Sequence, residues 1–256
     1  MSQSREFWLS SFSNKNTPNW TCPKCGTGIL RPIQNQFIAN EDSFTILESA
    51  KHPDFPDDYR KFKFTLALRC NNVDCQELVV SCGSGFGVID YDEELKEQFY
   101  YEKFVPEYFS PALELFTISK KCPEIVASQI RQSFKLFFAD QSASATYVRK
   151  AVEEILTNKG IPRFAVSRKG YKTKILLHDR IVVFEVKKPD IAKRLFALKW
   201  LGNEGSHANT ITKNDLLDAY EILEWAIDDL YVGYKKLIEK KVLKINKSMK
   251  PLHPST

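Results

Sequence analysis

The pattern of apolar and polar residues changes character along the chain. Between residues 62 and 69, apolar side chains stand at every second position, which predicts a strand with one buried face. Residues 77–82, which contain the apolar run LVV, are expected to form its partner strand, and residues 29–39 predict a less regular strand. Together these segments predict a small antiparallel sheet.

Two features at the end of the second run bear on this sheet. Cys82 follows the apolar run, and we expect it to be buried at the end of the strand. The segment GSGFG at 83–87 invites comparison with a phosphate-binding loop, but it lacks the lysine and the hydroxyl residue that follow the last glycine of a P-loop. The segment is therefore predicted to be a turn.

From Asp92 the periodicity becomes helical, with acidic side chains in the first turn, where the helix dipole favours them. Apolar residues at three- and four-residue spacing predict further helices. Thr212 and Asp215 have the spacing of a capping box, which predicts that the last helix begins there. These helices are expected over residues 123–138, 142–158 and 213–240.

The chain is thus predicted to have an α+β fold, with a small antiparallel domain at residues 1–91 and a mainly α-helical domain at residues 92–256. Within the second domain, residues 163–173 are basic and turn-like. Residues 176–186 are ambiguous between strand and helix because they contain a β-branched run. The lysine-rich segment after Val242 is expected to be disordered.

Composition places this fold in a broad class. Of the 256 residues, 43% are hydrophobic and 27% are charged, which is typical of a globular protein in water. The first residues, MSQSREFWLSSFS, lack a basic start followed by an apolar run, and no stretch of about 18 apolar residues occurs. We therefore expect a cytoplasmic protein without a membrane segment.

Charge is distributed unevenly, although the net charge is only +5. Residues 1–100 carry 10 Lys and Arg against 14 Asp and Glu, whereas residues 160–200 carry 11 basic side chains against three acidic ones. Such an excess attracts phosphate backbones, while a solvated lysine-rich face is the alternative. If nucleic acid binds here, RNA or DNA, the candidate contacts are Arg168, Lys169, Lys172, Arg180 and Arg194.

Four of the six cysteines occur in two close pairs, Cys22 with Cys25 and Cys70 with Cys75. Each pair can form a tight turn whose sulfurs converge, and two such turns supply the four thiolates of a structural Zn²⁺ site. The first domain is therefore predicted to be a zinc ribbon, with unrelated cysteines as the alternative. A catalytic zinc is disfavoured because four cysteines leave no open coordination position.

Several segments of the second domain carry a family resemblance. RIVVFEVKKPDIAKRLFALKWLGNEGSHA at 180–208 is preceded, in order, by CPEIV, FADQSASATYVRKAVEEIL and NKGIP. These segments resemble the bacterial family called domain of unknown function 4145, over about residues 104–240. The cysteine pairs fit the zinc ribbon that often precedes that domain.

That family is similar to the HEPN superfamily (higher eukaryotes and prokaryotes nucleotide-binding), whose helical members are often dimeric ribonucleases in defence systems. The resemblance therefore implies a HEPN-like helical bundle, a homodimer and a role in defence or stress response. The superfamily signature is an arginine, commonly followed by asparagine, with a histidine four to six residues later. Aligned on Asn203 and His207, this chain has Gly202 in place of the arginine.

The chain is therefore predicted to be a nucleic-acid-associated protein of defence or stress response, with RNA as the favoured ligand and a degenerate motif that need not be catalytic. The replacement of the arginine leaves three more specific functions open. Metal-independent RNA cleavage needs a group that titrates near neutral pH and a cation for the phosphorane. In an endoribonuclease, His207 would be the general acid/base, Lys199 would supply the charge that Gly202 lacks, and Asn203 and Glu204 would orient the histidine. The other two functions are a non-enzymatic adaptor that docks on a larger defence complex and a sensor of a nucleotide. In these, residues 203–207 only fix the corner between two helices.

Overall fold

The computed structural model describes residues 4–168, 170–204 and 211–249. This part of the chain combines an antiparallel sheet with a helical region, which confirms the predicted α+β class. It divides into two compact units. The sheet unit comprises the residues up to Leu115 together with Arg131–Ser144, and the helical unit comprises Phe116–Ile130 and the residues from Ala145 onward.

Four antiparallel strands in the order β1-β2-β3-β4 form the sheet. Their bounds are Leu30–Glu41 for β1, Lys61–Cys70 for β2, Leu78–Asp92 for β3 and Glu97–Ser110 for β4. Along β2, every second side chain is buried, as the alternation of the sequence predicts. The irregular strand expected at 29–39 is β1, whose pairing with β2 shifts register between Pro32 and Phe37.

An aromatic core covers one face of this sheet. The ring of Phe104 lies within 6.0 Å of the rings of Phe12, Phe37 and Phe64, and Trp20 packs edge-on against Phe109. Aromatic pairs in such tilted arrangements add to the hydrophobic gain of burial. Helices α1, Arg5–Leu9, and α2, Ser43–Lys51, also belong to this unit, with a short 3₁₀ turn at Asp57–Tyr59.

The predicted turn at 83–87 is wrong, because GSGFG lies inside β3. Its glycines are needed because backbone atoms of other segments lie very close to the strand, not because the chain turns there. A Cβ on Gly83 would lie 2.2 Å from the carbonyl oxygen of Val105, and one on Gly87 would lie 2.0 Å from that of Asp57. Cys82 is consequently in the middle of a strand and exposed, not buried at its end.

The predicted helix from Asp92 is also wrong. Residues 93–96 form a turn in which the Asp92 carboxylate accepts hydrogen bonds from the backbone N–H groups of Glu94 and Leu95, and the chain returns as β4. An acidic turn and an acidic first helical turn have the same composition, which explains the error. The compact sheet unit therefore extends to Leu115 rather than ending at residue 91.

Six helices and a two-stranded hairpin follow β4 in the described part of the chain. The segment at 163–173, expected to be turn-like, is largely this hairpin, and the ambiguous segment at 176–186 is mostly helix α5. The elements are α3, Glu124–Leu136; α4, Gln141–Asn158; β5, Phe164–Val166; β6, Lys172–Lys174; α5, Leu177–Glu185; α6, Pro189–Glu204; α7, Lys213–Ile227; and α8, Tyr234–Ser248.

Helix ends follow local chemistry. Thr212 and Asp215 form the predicted capping box at the start of α7. The single helix expected over 213–240 is interrupted by a π-helical turn and by Gly233, whose φ of +72° favours glycine. Helix α8 then continues to Ser248, so residues 243–248, at the start of the segment expected to be disordered, are helical. None of the helices in the described residues has the length and apolarity needed to cross a membrane.

Candidate functional sites

Both cysteine pairs meet at one end of the sheet. Cys22 and Cys25 lie before β1, Cys70 ends β2, and Cys75 lies in the turn between β2 and β3. Their four sulfurs lie within 4.8 Å of one another, and Cys22–Cys75 and Cys25–Cys70 are each 3.7 Å apart. Four thiolates at Zn–S bond lengths of ~2.3 Å lie roughly 3.8 Å apart at tetrahedral angles. The cluster could therefore hold a metal ion.

The backbone around the cysteines holds this geometry. Gly26 donates to the Cys22 carbonyl with φ +68°, which glycine adopts without strain. A Cβ on Gly28 would lie 2.3 Å from the Cys70 sulfur, so only glycine fits there. Cys70 donates its N–H to Glu77, and Cys75 donates to Asn72. Each sulfur is thus placed by the fold of its own turn.

Burial and hydrogen bonding act differently on the four thiols. The backbone N–H groups of Thr27 and Gly28 point at the Cys25 sulfur and lower the pKa of that thiol to about 5. Burial raises the pKa of Cys70 to about 12 and raises that of Cys22 as well. Four close thiolates repel one another in such a setting, so the full set of charges requires a cation at the centre.

The structure separates the candidate nucleic-acid contacts. Arg168 and Lys172 are exposed, and Lys172 lies on the hairpin β5–β6. Lys169 lies outside the described residues. Arg194 forms an ion pair with Asp229, and Arg180 is buried with only 3% of its surface exposed. The four described residues therefore do not form one continuous surface.

Arg180 has the contacts of a structural residue. Its guanidinium donates to the carbonyl oxygens of Glu153 and Ile161 and to the Thr157 hydroxyl at distances of 2.8–3.1 Å. Burial lowers the pKa of Arg180. The side chain ties α5 to the end of α4 and the segment that follows it, and a buried guanidinium with these partners cannot also contact a phosphate in solution.

We expect Arg180→Met to lower the free energy of unfolding by about 2 kcal/mol, because charge-assisted hydrogen bonds of this kind contribute roughly 1.5–3 kcal/mol. Urea denaturation measures the change, with Lys187→Met, at an exposed position, as the matched control. Unchanged stability together with weakened RNA binding would contradict this assignment.

The segment LKWLGNEGSH is only partly described. His207 lies outside the described residues, as do the side chains of Asn203 and Glu204. Lys199 is described: its side chain is 8% exposed, and its ammonium lies 3.6 Å from the centre of the Trp200 ring. Its charge is thus held by a cation–π contact.

Gly202 marks a close crossing of two helices. A Cβ at this position would lie 2.8 Å from the Cβ of Arg149 and 3.2 Å from the carbonyl oxygen of Ala145, both on α4. No larger side chain fits unless the helices move apart. The side chain on α4 that begins against Gly202 is that of Arg149, whose guanidinium forms an ion pair with Glu153 at 3.8 Å. Sequence reasoning missed this contact because the two residues are 53 positions apart in the chain.

Comparison with known proteins gives two family matches. Residues 10–109 match the family model described as Domain of unknown function (DUF8608), and residues 131–249 match the one described as Domain of unknown function (DUF4145). No curated protein and no solved structure matches the chain. The relation to the HEPN superfamily stays a prediction. The resemblance inferred from the sequence motifs is confirmed to this extent: residues 131–249 match the model of the DUF4145 family.

Proposed function

We propose that this protein is a non-catalytic nucleic-acid-binding protein, with RNA as its main ligand, that works in defence or stress response. The observation that carries the proposal is the exposed hairpin β5–β6. Its register places Phe164 opposite Lys174 and Val166 opposite Lys172, so two cations and an aromatic ring share one face. All four side chains are exposed, and Phe164 is 50% exposed.

This combination matches the chemistry of a nucleic acid. Lysines neutralise phosphates and release counterions, while an exposed ring stacks on bases. Arg168 and Tyr171, both exposed, extend the same composition into the loop between the two strands. A hairpin that only closed the fold would have no need of large apolar side chains on a solvent face.

The geometry at Gly202 supports binding without cleavage. A ribonuclease of the type that the sequence suggests needs a cation beside its histidine, and the close contact with α4 leaves no room for one at position 202. Lys199, the first candidate substitute, lies over Trp200, and Arg194 is paired with Asp229. The proposed role therefore uses the positive charge of the helical unit for affinity rather than for catalysis.

Reversal of the two hairpin lysines tests the proposal. We expect Lys172→Glu/Lys174→Glu to abolish most RNA binding and to lower the slope of log K against log salt by about 2, since each phosphate contact contributes roughly 0.7–0.9 to that slope. Fluorescence anisotropy at several salt concentrations measures both. The control is Lys240→Glu/Lys244→Glu, which changes the net charge equally at exposed positions of α8. Equal loss in both variants, or none, would contradict a hairpin site.

Two further parts of the proposal rest on other features. We propose Zn²⁺ as the ion of the cysteine cluster, because four thiolates in tetrahedral reach are its preferred structural ligands. We also propose that the protein is a homodimer, with docking on a larger defence complex as the alternative. Either kind of association is supported by apolar side chains that are exposed along the C-terminal helices, among them Trp225, Ile238 and Val242.

A further inference from the structure

The four-stranded sheet has a second face, opposite its aromatic core, that we call the outer face. It carries five cations. Lys61, Lys63 and Arg69 alternate with the buried positions of β2, Arg31 of β1 lies opposite Arg69, and Lys103 of β4 lies opposite Phe86 of β3. The first four are exposed, and Lys103 is partly exposed. This basic surface exists although residues 1–100 have an excess of acidic side chains.

Aromatic rings lie between these cations. Phe86 is paired with Lys61 on one side and with Lys103 on the other, so one row across three strands reads cation, ring, cation. Tyr101 lies one row away, with the Lys103 ammonium 5.4 Å from its ring centre. Tyr108 lies opposite Cys82. Phe86 and Tyr108 are 41% and 47% exposed, so their rings are available to a ligand.

Acidic side chains limit the surface without cancelling it. Glu107 forms an ion pair with Lys63 at 3.7 Å, and Asp90 lies opposite Phe99 near the acidic turn between β3 and β4. The basic and aromatic area therefore ends toward that turn. From Val88 to Leu78, which is paired with Arg69, it extends for about 33 Å along β3, at roughly 3.3 Å per residue.

We propose that this outer face binds single-stranded nucleic acid, with bases stacked on Phe86 and Tyr108 and phosphates held by the flanking cations. The inference deepens the proposed function and rests on it, because it takes the same class of ligand at a second site. Interleaved rings and cations on an open sheet form a stacking platform for unpaired bases.

Cys82 gives the test a native probe, because this exposed thiol lies in the middle of the face, between Thr65 and Tyr108. In the full-length protein supplied with Zn²⁺, oligouridine is expected to slow the alkylation of Cys82 by iodoacetamide, as measured by peptide mass spectrometry. An oligothymidine arm shows whether DNA acts in the same way, and a duplex of the same length is expected to give weaker protection.

Removal of the rings tests affinity directly. Phe86→Ala/Tyr108→Ala is expected to weaken oligouridine binding about tenfold or more, which is the loss when stacking rings are removed. Tyr59→Ala, which removes an exposed ring from the 3₁₀ turn, is the matched control and is expected to bind like the wild type. Binding by anisotropy and the protection of Cys82 are then compared with the hairpin variant Lys172→Glu/Lys174→Glu.

The outcomes distinguish the two proposals. Binding that depends on the hairpin but not on Phe86 and Tyr108, with Cys82 unprotected, overturns the outer-face site and leaves the proposed function intact. Binding that depends on the rings but not on the hairpin supports the outer face and overturns the hairpin site. A wild-type protein that binds neither oligonucleotide at low salt overturns both.

Discussion

Cys22→Ser is expected to lose the proposed Zn²⁺ and to unfold the sheet unit while the helical unit stays folded. Cys22 is buried, and its sulfur lies 3.7 Å from that of Cys75 in the four-thiol cluster. Structural Zn²⁺ sites contribute apparent binding free energies of about 10–16 kcal/mol, whereas a whole domain is typically stable by only about 5–15 kcal/mol. If the loss of one ligand prevents metal binding, the binding free energy that is lost can therefore exceed the free energy of unfolding of the sheet unit.

Two measurements on the full-length protein check this result. Metal analysis is expected to find about one Zn²⁺ per chain in the wild type and much less in Cys22→Ser. Hydrogen exchange followed by mass spectrometry is expected to show lost protection in β2 and β3 and retained protection in α6 and α7. Cys82→Ser is the matched control, because this cysteine lies in the same sheet but outside the cluster. Normal protection of β2 in metal-free Cys22→Ser would show that the sheet folds without metal.

The sequence predicted the convergence of the four cysteines well because its determinants are local. Cys22 and Cys25 are two residues of one turn, and the alternating pattern of β2 delivers Cys70 to the end of a strand. Period-two alternation and close cysteine spacing each depend on a few neighbouring residues. Distant parts of the chain did not have to be known for either inference.

The wrong predictions concern residues whose environment is set by distant parts of the chain. Gly83 and Gly87 looked like turn residues, but they are required by the carbonyl oxygens of Val105 and Asp57, which belong to other segments. Arg180 looked like part of a basic surface because its burial depends on α4, whose last residue is 22 positions earlier in the chain. The composition of a segment does not predict which of its basic side chains is buried and hydrogen-bonded in the fold.

The outer face was missed for the same reason. Its cations and rings come from four strands, and only the register brings Lys61, Phe86 and Lys103 into one row. Along the chain, these residues lie in segments that are predominantly acidic or apolar. A surface of this kind becomes recognisable only once strand pairing is known.

Gly202→Arg, the substitution that restores the arginine of the nuclease signature, is expected to destabilise the helical unit by about 3 kcal/mol or more without producing RNA cleavage. The new Cβ would lie 2.8 Å from that of Arg149, and the helix backbones cannot yield as a flexible side-chain end would. Overpacking of this kind costs roughly 1–3 kcal/mol, and a guanidinium confined beside α4 adds a desolvation penalty. Gly202→Ala is expected to cost less, because the better helix propensity of alanine offsets about 1 kcal/mol.

Thermal and urea denaturation measure the stability of the two variants, and Val186→Arg, at a position 87% exposed, controls for the added charge. A fluorogenic RNA substrate measures cleavage. If Gly202→Arg folds normally and cleaves RNA, the helix crossing is more open than its distances indicate, and the glycine is the reason that the protein is inactive. If the wild type already cleaves RNA and His207→Ala abolishes this, the charge must come from another residue. Arg149 would then be the first to replace, because it already lies against Gly202 and needs no movement of α6.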